Sequence, residues 1–152
     1  MKPSPTETKI RARMAPGVIT LSGFLGTDTR TINEIIFDDE MTLSALNISA
    51  EELADRMDYF QQKSFDSFEG SIRVDEVFEV ETEVVRGYLP CPFMHSGVYR
   101  KSFTVVTNTI SGKSVRYSAL NIHLIKAHHF FEGRESHFRL EPALLIEVLW
   151  HK

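Results

Sequence analysis

The sequence predicts a single α+β domain in which an antiparallel sheet packs against an N-terminal helical hairpin and two C-terminal helices. Two capping-box patterns, beginning at Thr31 and Ser49, each precede apolar residues at helical spacing. Alternating apolar and polar residues over 74–84 are typical of a half-buried strand. The length of 152 residues suits one hydrophobic core, because a domain commonly holds about 100–200 residues. We therefore expect a disordered tail over residues 1–16 and one domain over residues 17–152.

Composition and charge exclude several classes of protein. The hydrophobic fraction of 42% and the charged fraction of 25% are ordinary for a soluble globular chain. A formal net charge of −4 provides no general attraction to nucleic acid or to an anionic membrane. No segment approaches the roughly 20 apolar residues of a membrane-spanning helix, and the N-terminus lacks the apolar core of a signal peptide. Since the single cysteine forms no internal disulfide, we expect a cytoplasmic protein.

The N-terminal third predicts a tail, a short strand and a helical hairpin. Residues 1–16 mix prolines, threonines and charges without periodicity, which favours disorder. Apolar residues over 18–25 then indicate a short strand that ends at Gly26. The two capped helices follow, and their hairpin turns near Asn47 and Ile48.

The middle of the chain predicts three strands. The first runs from Val74 past Val84 to Gly87, with a bulge where Glu76 and Val77 exchange character. It leads into the segment Pro90-Cys91-Pro92, where the prolines cannot donate to a ladder. The others, over 98–108 and 114–117, form a hairpin through Ser111-Gly112-Lys113.

Two helices are predicted at the C-terminus. One begins after a cap near Ser118 and runs to about Phe131, with Gly133 as its stop signal. The other starts near Pro142 and covers 143–150, which is apolar on nearly every side. Such a helix is either well buried or part of a homo-oligomer contact.

Reactive side chains are concentrated in the second half of the chain. The only cysteine and five of the six histidines lie between Cys91 and His137, in the pattern C-x3-H followed by H-x4-H-H. Thiolate and imidazole are the ligands that zinc prefers. Cys91, His95, His123 and His128 would form a set of four ligands. A closed set would hold a structural ion, whereas water in place of one ligand would give a metal that assists hydrolysis.

Helix geometry restricts this metal site. Residues five apart on an ideal helix point about 140° apart, so His123 and His128 face one ion only if the helix tightens or ends near His128. His129 or His137 is an alternative to His128. Zinc is the expected cofactor, although imidazole also suits iron.

Other interpretations of the same residues stay open. Cys91 would act as a nucleophile with His95 or His123 as its base if its thiol were accessible and its pKa depressed. No cysteine-hydrolase signature is present. Alternatively, Cys91 is a small buried apolar residue and the histidines pack or lie exposed singly.

The polar loop over 132–139 is a candidate for anion binding or for supporting the metal ligands. Glu132, His137 and Arg139 are the residues expected to contribute, since an arginine can bind a carboxylate or phosphate with two hydrogen bonds. The alternative is a solvated connection whose charges pair locally, which suits Arg134 and Glu135 better.

The helical hairpin has the rhythm of a helix-turn-helix, but its charge argues against DNA binding. Its second helix carries Glu51, Glu52, Asp55 and Asp58 against a single cation, Arg56. Phosphates would repel such a helix. A packed helical pair is the better interpretation.

Several short segments after Gly23 are similar to one protein family. They are Ile35-Ile36, Leu53-Ala54-Asp55-Arg56, Arg86-Gly87, Pro90-Cys91-Pro92-Phe93, Asn121-Ile122-His123, His128, Phe130-Phe131-Glu132-Gly133 and Phe138-Arg139-Leu140-Glu141-Pro142. With them the chain resembles a family of small bacterial cytosolic proteins that have no established activity. Glycine is usual in that family where this chain has His129. The resemblance therefore implies that His129 is the clustered histidine least suited to bind a metal.

Two functions are consistent with these patterns. The first is a small cytosolic metal-binding protein, with zinc held by the Cys91 and histidine set and possible metal-assisted hydrolysis. The second is a non-enzymatic module that binds a small molecule or a protein, in which the Cys/His cluster serves packing. No pattern identifies the ligand or decides whether a reaction is catalysed.

Overall fold

The computed structural model describes residues 4–66 and 70–151. Its helices and strands are α1 (Pro5–Arg13), α2 (Ile32–Ala45), α3 (Ala50–Phe65), β1 (Ser71–Val74), β2 (Phe78–Pro90), β3 (Val98–Asn108), β4 (Ser114–Ser118), α4 (Ala119–His128) and α5 (Pro142–Leu149). The strands form an antiparallel sheet in the order β1-β2-β3-β4. The predicted α+β class, with a helical hairpin before the sheet and two helices after it, is confirmed.

Both predicted capping boxes are present. The side chains of Thr31 and Ser49 accept hydrogen bonds from the amides of Glu34 and Glu52, whose carboxylates accept from the cap amides in return. Asn47 adopts a left-handed conformation (φ 59°) between the two helices. The hairpin therefore turns where the sequence predicts.

The N-terminal segment differs from the expectation of a disordered tail. Residues 5–13 form α1, which Ser4 caps by accepting a hydrogen bond from the amide of Glu7. The guanidinium of Arg13 donates to the carbonyl oxygens of Cys91 (2.8 Å) and Pro92 (3.2 Å). These contacts join α1 to a segment almost eighty residues away, and no local periodicity announces them.

The strand expected before Gly26 is absent. This stretch consists of turns and bends, and its backbone pairs with the loop that follows α4. The amide of Gly133 donates to the carbonyl of Phe24 (2.8 Å), and the amide of Thr27 donates to the carbonyl of Arg134 (3.0 Å). A side chain on Gly133 would collide with the Leu25 carbonyl, so this glycine permits close approach and is not the stop of a helix.

The predicted strand over 74–84 is divided in two. Asp75 (φ 51°) and Glu76 (φ 64°) are left-handed and turn the chain, so that Val74 pairs with Phe78. The expected bulge is therefore a hairpin turn between β1 and β2. Strand β2 also continues past Gly87, because β3 offers pairing partners as far as Pro90 after an irregularity between Val84 and Tyr88.

Helix α4 ends three residues earlier than the sequence predicts. His129 takes a left-handed conformation (φ 55°), and its amide donates to the carbonyl of Ile125. The amide of Phe130 donates to the carbonyl of Leu124. The left-handed residue and its bond to Ile125 form an αL C-cap, which closes a helix without glycine here.

Two apolar clusters fill the fold. The larger lies among α3, α5 and the sheet and includes Met57, Phe60 and Leu145. The smaller joins Met14 and Phe24 to Leu120 and Leu124 of α4, and Cys91 is one of its buried members. Helix α5 buries one face in the larger cluster and leaves Leu144 partly exposed, so its use in an oligomer stays a prediction.

An ion pair joins α2 to the segment before α5. The guanidinium of Arg139 bonds both carboxylate oxygens of Asp39, at 2.6 and 2.8 Å, and both side chains are largely buried. Arg139 also donates to Glu141 and to the carbonyl of Glu132.

Among residues 4–66 and 70–151, no helix is long and apolar enough to cross a membrane.

We expect Asp39→Ala to lower the free energy of unfolding by about 3 kcal/mol, because it leaves a buried guanidinium without its main partner. The matched control is Asp55→Ala, which removes an exposed pair with Lys126 and should cost less than about 1 kcal/mol. Urea unfolding monitored by circular dichroism measures both. Equal costs for the two variants would contradict the proposed role of the buried pair.

Candidate metal centre

Three of the four predicted metal ligands lie together. Cys91, His123 and His128 each offer one ligand atom, and these atoms all lie within 4.8 Å of one another. Cys91 directly follows β2, and the two histidines belong to α4. The cluster therefore joins a strand end to a helix, as the sequence predicts.

Local turns set the position of Cys91. Pro90 is the last residue of β2, and Met94 adopts a left-handed conformation (φ 61°) shortly afterwards. The amide of Phe93 donates to the Cys91 sulfur at 3.4 Å. Amide donors of this kind favour a thiolate, because they place partial positive charge beside the sulfur.

The early end of α4 determines how His128 meets Cys91. His128 is the last helical residue, and its Nε2 lies 3.4 Å from the Cys91 sulfur. Its ring stacks on Phe93, with centroids 4.2 Å apart and planes 9° from parallel. The helix ends at His128, and the ring centroids of His123 and His128 lie 5.2 Å apart.

His123 has one nitrogen satisfied and one without a partner. Its Nδ1 lies 2.9 Å from the hydroxyl of Tyr99, which also stacks on the ring. Its Nε2 is buried and has no hydrogen-bond partner in the described part of the chain. Leaving a buried polar atom unsatisfied costs about 1–3 kcal/mol, so a metal ion or another ligand at this atom would be stabilising.

Electrostatics keeps both imidazoles neutral. Burial lowers the pKa of His123, and the neighbouring His95 lowers it further. Burial, followed by repulsion from His123, His95 and His129, lowers the pKa of His128 to about 4. Neutral imidazole is the form that binds metal.

Unlike the neutral imidazoles, the thiol of Cys91 must lose a proton before it can bind a metal ion. Burial raises its pKa, although the amides of Phe93 and His95 oppose this. A metal ion would have to displace the thiol proton, which couples binding to pH. The same burial disfavours the nucleophile interpretation, since a reactive cysteine is accessible and has a depressed pKa. Among the described residues the sulfur makes a side-chain hydrogen bond with His128, and none with the rings of the expected bases His95 and His123.

His95 lies beside the cluster but outside the group of three. It is exposed, and its ring centroid is 4.9 Å from that of His123 and 5.6 Å from that of His128. His95 is therefore available as a fourth ligand from the solvent side.

Neither predicted substitute for His128 reaches the cluster. His129 bonds Glu40 of α2 (2.6 Å) and Glu51 of α3 (3.0 Å) through its two ring nitrogens. His137 is exposed and packs edge-on against Phe138. The left-handed conformation of His129 turns its ring toward the helical hairpin.

The residues expected to bind an anion or to support the metal ligands are engaged elsewhere. The buried carboxylate of Glu132 accepts hydrogen bonds from Asn121 (3.1 Å) and Ser136 (2.7 Å). Arg139 is committed to Asp39 and Glu141. Together with the exposed His137, they stay outside the group formed by the cysteine and the two histidines.

Sequence reasoning missed Tyr99 and Phe93, which orient the two histidines. Phe93 is adjacent in sequence to the Cys91 segment, so its proximity was available as a signal. Tyr99 belongs to β3, where it pairs with Leu89 near the end of β2. Only the strand register places its hydroxyl at His123.

Comparisons with known proteins return no match to a family model, to a curated protein or to a solved structure. The resemblance to small bacterial cytosolic proteins therefore stays a prediction.

The buried carboxyl of Glu132 gives a pH-dependent prediction. Burial raises its pKa from 4.5 to about 7, although Ser136 and Asn121 oppose the change. The folded chain therefore retains a proton that the unfolded chain loses above about pH 4.5. The free energy of unfolding contributed by this group should fall by about 3 kcal/mol as the pH rises from about 5 to about 8.

Glu132→Gln should remove this contribution. The free energy of unfolding of the variant should therefore change less than that of the wild type over the same pH range. Glu135→Gln is the matched control, because Glu135 is an exposed, left-handed residue of the same loop. Urea unfolding at several pH values measures the difference. Parallel pH profiles for wild type and Glu132→Gln would show that the carboxyl is not responsible.

Proposed function

We propose that the protein binds one zinc ion through Cys91, His123 and His128, with His95 as the fourth ligand. The observation that carries this proposal is the buried Nε2 of His123, which has no hydrogen-bond partner within residues 4–66 and 70–151. It belongs to a group that also contains a buried thiol and a neutral imidazole. A divalent ion is the simplest occupant for such a set of donors.

Distances support a tetrahedral ion. Zinc binds sulfur at about 2.3 Å and imidazole nitrogen at about 2.0–2.1 Å, which separates such ligand atoms by about 3.5 Å in a tetrahedron. The Cys91 sulfur and His128 Nε2 lie 3.4 Å apart. Since the ligand atoms of Cys91, His123 and His128 lie within 4.8 Å of one another, small side-chain movements would bring these three to tetrahedral distances.

Residues around the ligands also suit a metal. The Tyr99 hydroxyl holds His123 through Nδ1, so that Nε2 is left to bind the ion when Nδ1 carries the proton. Phe93 stacks on His128 and restricts its ring. Zinc would then fasten the Cys91 segment to the end of α4 and stabilise the smaller apolar cluster.

Metal content tests this proposal directly. Tag-free protein purified without added metal should contain close to one zinc per chain by elemental mass spectrometry. Cys91→Ser and His123→Ala should each lose most of it, because each removes one of the three ligand atoms that lie within 4.8 Å of one another. His137→Ala is the control and should keep the wild-type content.

Absence of zinc from the wild type, even after titration with zinc, would overturn the proposal. The cluster would then serve packing, and the protein would be a binding module. Circular dichroism of each variant separates loss of metal from loss of fold.

Tyr99→Phe should weaken zinc binding by about 10- to 100-fold, because a hydrogen-bond partner on the second ring nitrogen orients a metal-bound histidine. Tyr88→Phe is the matched control, since Tyr88 is an exposed residue of β2. Competition with a chromogenic chelator measures both affinities. Equal affinities for Tyr99→Phe and the wild type would contradict the role of Tyr99.

His95 decides between a structural and a catalytic ion. We expect His95→Ala to bind zinc at a 1:1 ratio with affinity reduced by about tenfold or more, because one of four ligands is lost. Cobalt-substituted protein, whose visible absorption reports coordination number, should change its spectrum in this variant. An unchanged spectrum and affinity would mean that water already holds the fourth position, as in a hydrolytic site.

A further inference from the structure

A cleft lies away from the metal cluster, between the segment 19–24 and one face of the sheet. Its volume is about 310 Å³, which falls at the small end of ligand sites, about 300–1,000 Å³. Apolar side chains form most of its lining, including Phe24, Leu89, Phe103, Leu120 and Phe138. None of the four proposed metal ligands lines it.

The wall formed by the segment 19–24 is fixed in place. Phe24 is buried, and its carbonyl accepts a hydrogen bond from Gly133. Gly133 packs so closely on Leu25 that a side chain could not be accommodated. The cleft is therefore preformed, which lowers the cost of ordering it around a ligand.

The rim of the cleft exposes apolar surface. Leu21 is 90% exposed and Val85 is 38% exposed, and both line the cleft. A single exposed leucine is unremarkable, but apolar residues that surround one cavity are typical of a ligand site. An apolar ligand would shield them from water.

Two cations also line the cleft. Arg100 and Lys101 are consecutive residues of β3, and within residues 4–66 and 70–151 neither side chain makes an ion pair or a hydrogen bond. By contrast, Arg30, Arg73 and Arg139 all pair with carboxylates. Glu132 is the one acidic residue of the lining, and its oxygens already accept bonds from Asn121 and Ser136.

We propose that this cleft binds an amphipathic organic anion of the medium-chain carboxylate class. The apolar chain lies against Phe24, Phe103 and Phe138, and the carboxylate bonds Lys101, whose side chain leaves β3 on the same face as Phe103. Arg100, on the opposite face of the strand, adds positive charge near the cleft. Charge decides the sign of the head group, because a cationic amphiphile would be repelled by the same pair. The site is independent of the metal, since the two share no ligand-contacting residue.

Isothermal titration with decanoate, below its micelle-forming concentration, tests the proposal on the full chain. We expect one binding site, with hexanoate weaker because it buries a shorter chain. Decanol, which has the chain without the charge, should bind at least about tenfold more weakly, as expected for the loss of a charge-assisted hydrogen bond.

Two variants locate the site without disturbing the core. The double substitution Arg100→Gln with Lys101→Gln should weaken decanoate binding by about tenfold or more, and Leu21→Glu should weaken it by placing a negative charge at the rim. Lys113→Gln is the control, because Lys113 is exposed and pairs with Glu147.

Absence of decanoate binding to the wild type would overturn the proposal. So would equal binding of decanol and decanoate, or unchanged affinity in the Arg100/Lys101 double variant. Repeating the titration on chelator-treated protein should give the same affinity, which keeps this result separate from the fate of the metal proposal.

Discussion

The proposed metal site depends on the way α4 ends. His123 and His128 both belong to α4 and leave an ideal helix about 140° apart around its axis, yet their ring centroids lie 5.2 Å apart at its last turn. The left-handed conformation of His129 ends the helix one residue after the ligand, and the backbone bonds from His129 to Ile125 and from Phe130 to Leu124 hold that end. His128 then turns toward Cys91, whereas His129 turns toward Glu40 and Glu51.

The opposite side of the site is held by a different part of the chain. Cys91 lies in the smaller apolar cluster, where Met14 and Phe24 also pack. Arg13 of α1 reaches the carbonyls of Cys91 and Pro92 and thereby fixes the backbone on which the thiol is carried. A metal ion would add strong bonds between the Cys91 segment and α4. These bonds would stabilise the smaller apolar cluster, because the free energy of metal binding adds to that of folding.

Local signals in the sequence predict much of the fold. Thr31 and Ser49 cap their helices because a capping box needs only residues three apart. Features that depend on distant contacts are missed. Helix α1 is ordered by Arg13 reaching the Cys91 segment, and β2 continues to Pro90 because β3 offers partners. The turn at Asp75 and Glu76 lacks glycine or asparagine, so its left-handed residues are not announced.

Local signals likewise predict only part of the candidate site. Clustered Cys and His residue types are visible in any sequence, and they indicate Cys91, His123 and His128. Arg139 pairs with Asp39, a hundred positions away, and is therefore not free to bind an anion. Only the folded chain reveals this pairing. The hydrogen bond from Tyr99 to His123 likewise depends on strand register.

X-ray absorption at the zinc edge of the protein as purified tests the central claim most directly. We predict one sulfur neighbour at about 2.3 Å, with the remaining neighbours nitrogen or oxygen at about 2.0–2.1 Å and the ring scattering of imidazole. Such a spectrum can arise only from Cys91, since the chain has no other cysteine. A zinc ion surrounded by light atoms alone, or a protein without zinc, would contradict the account.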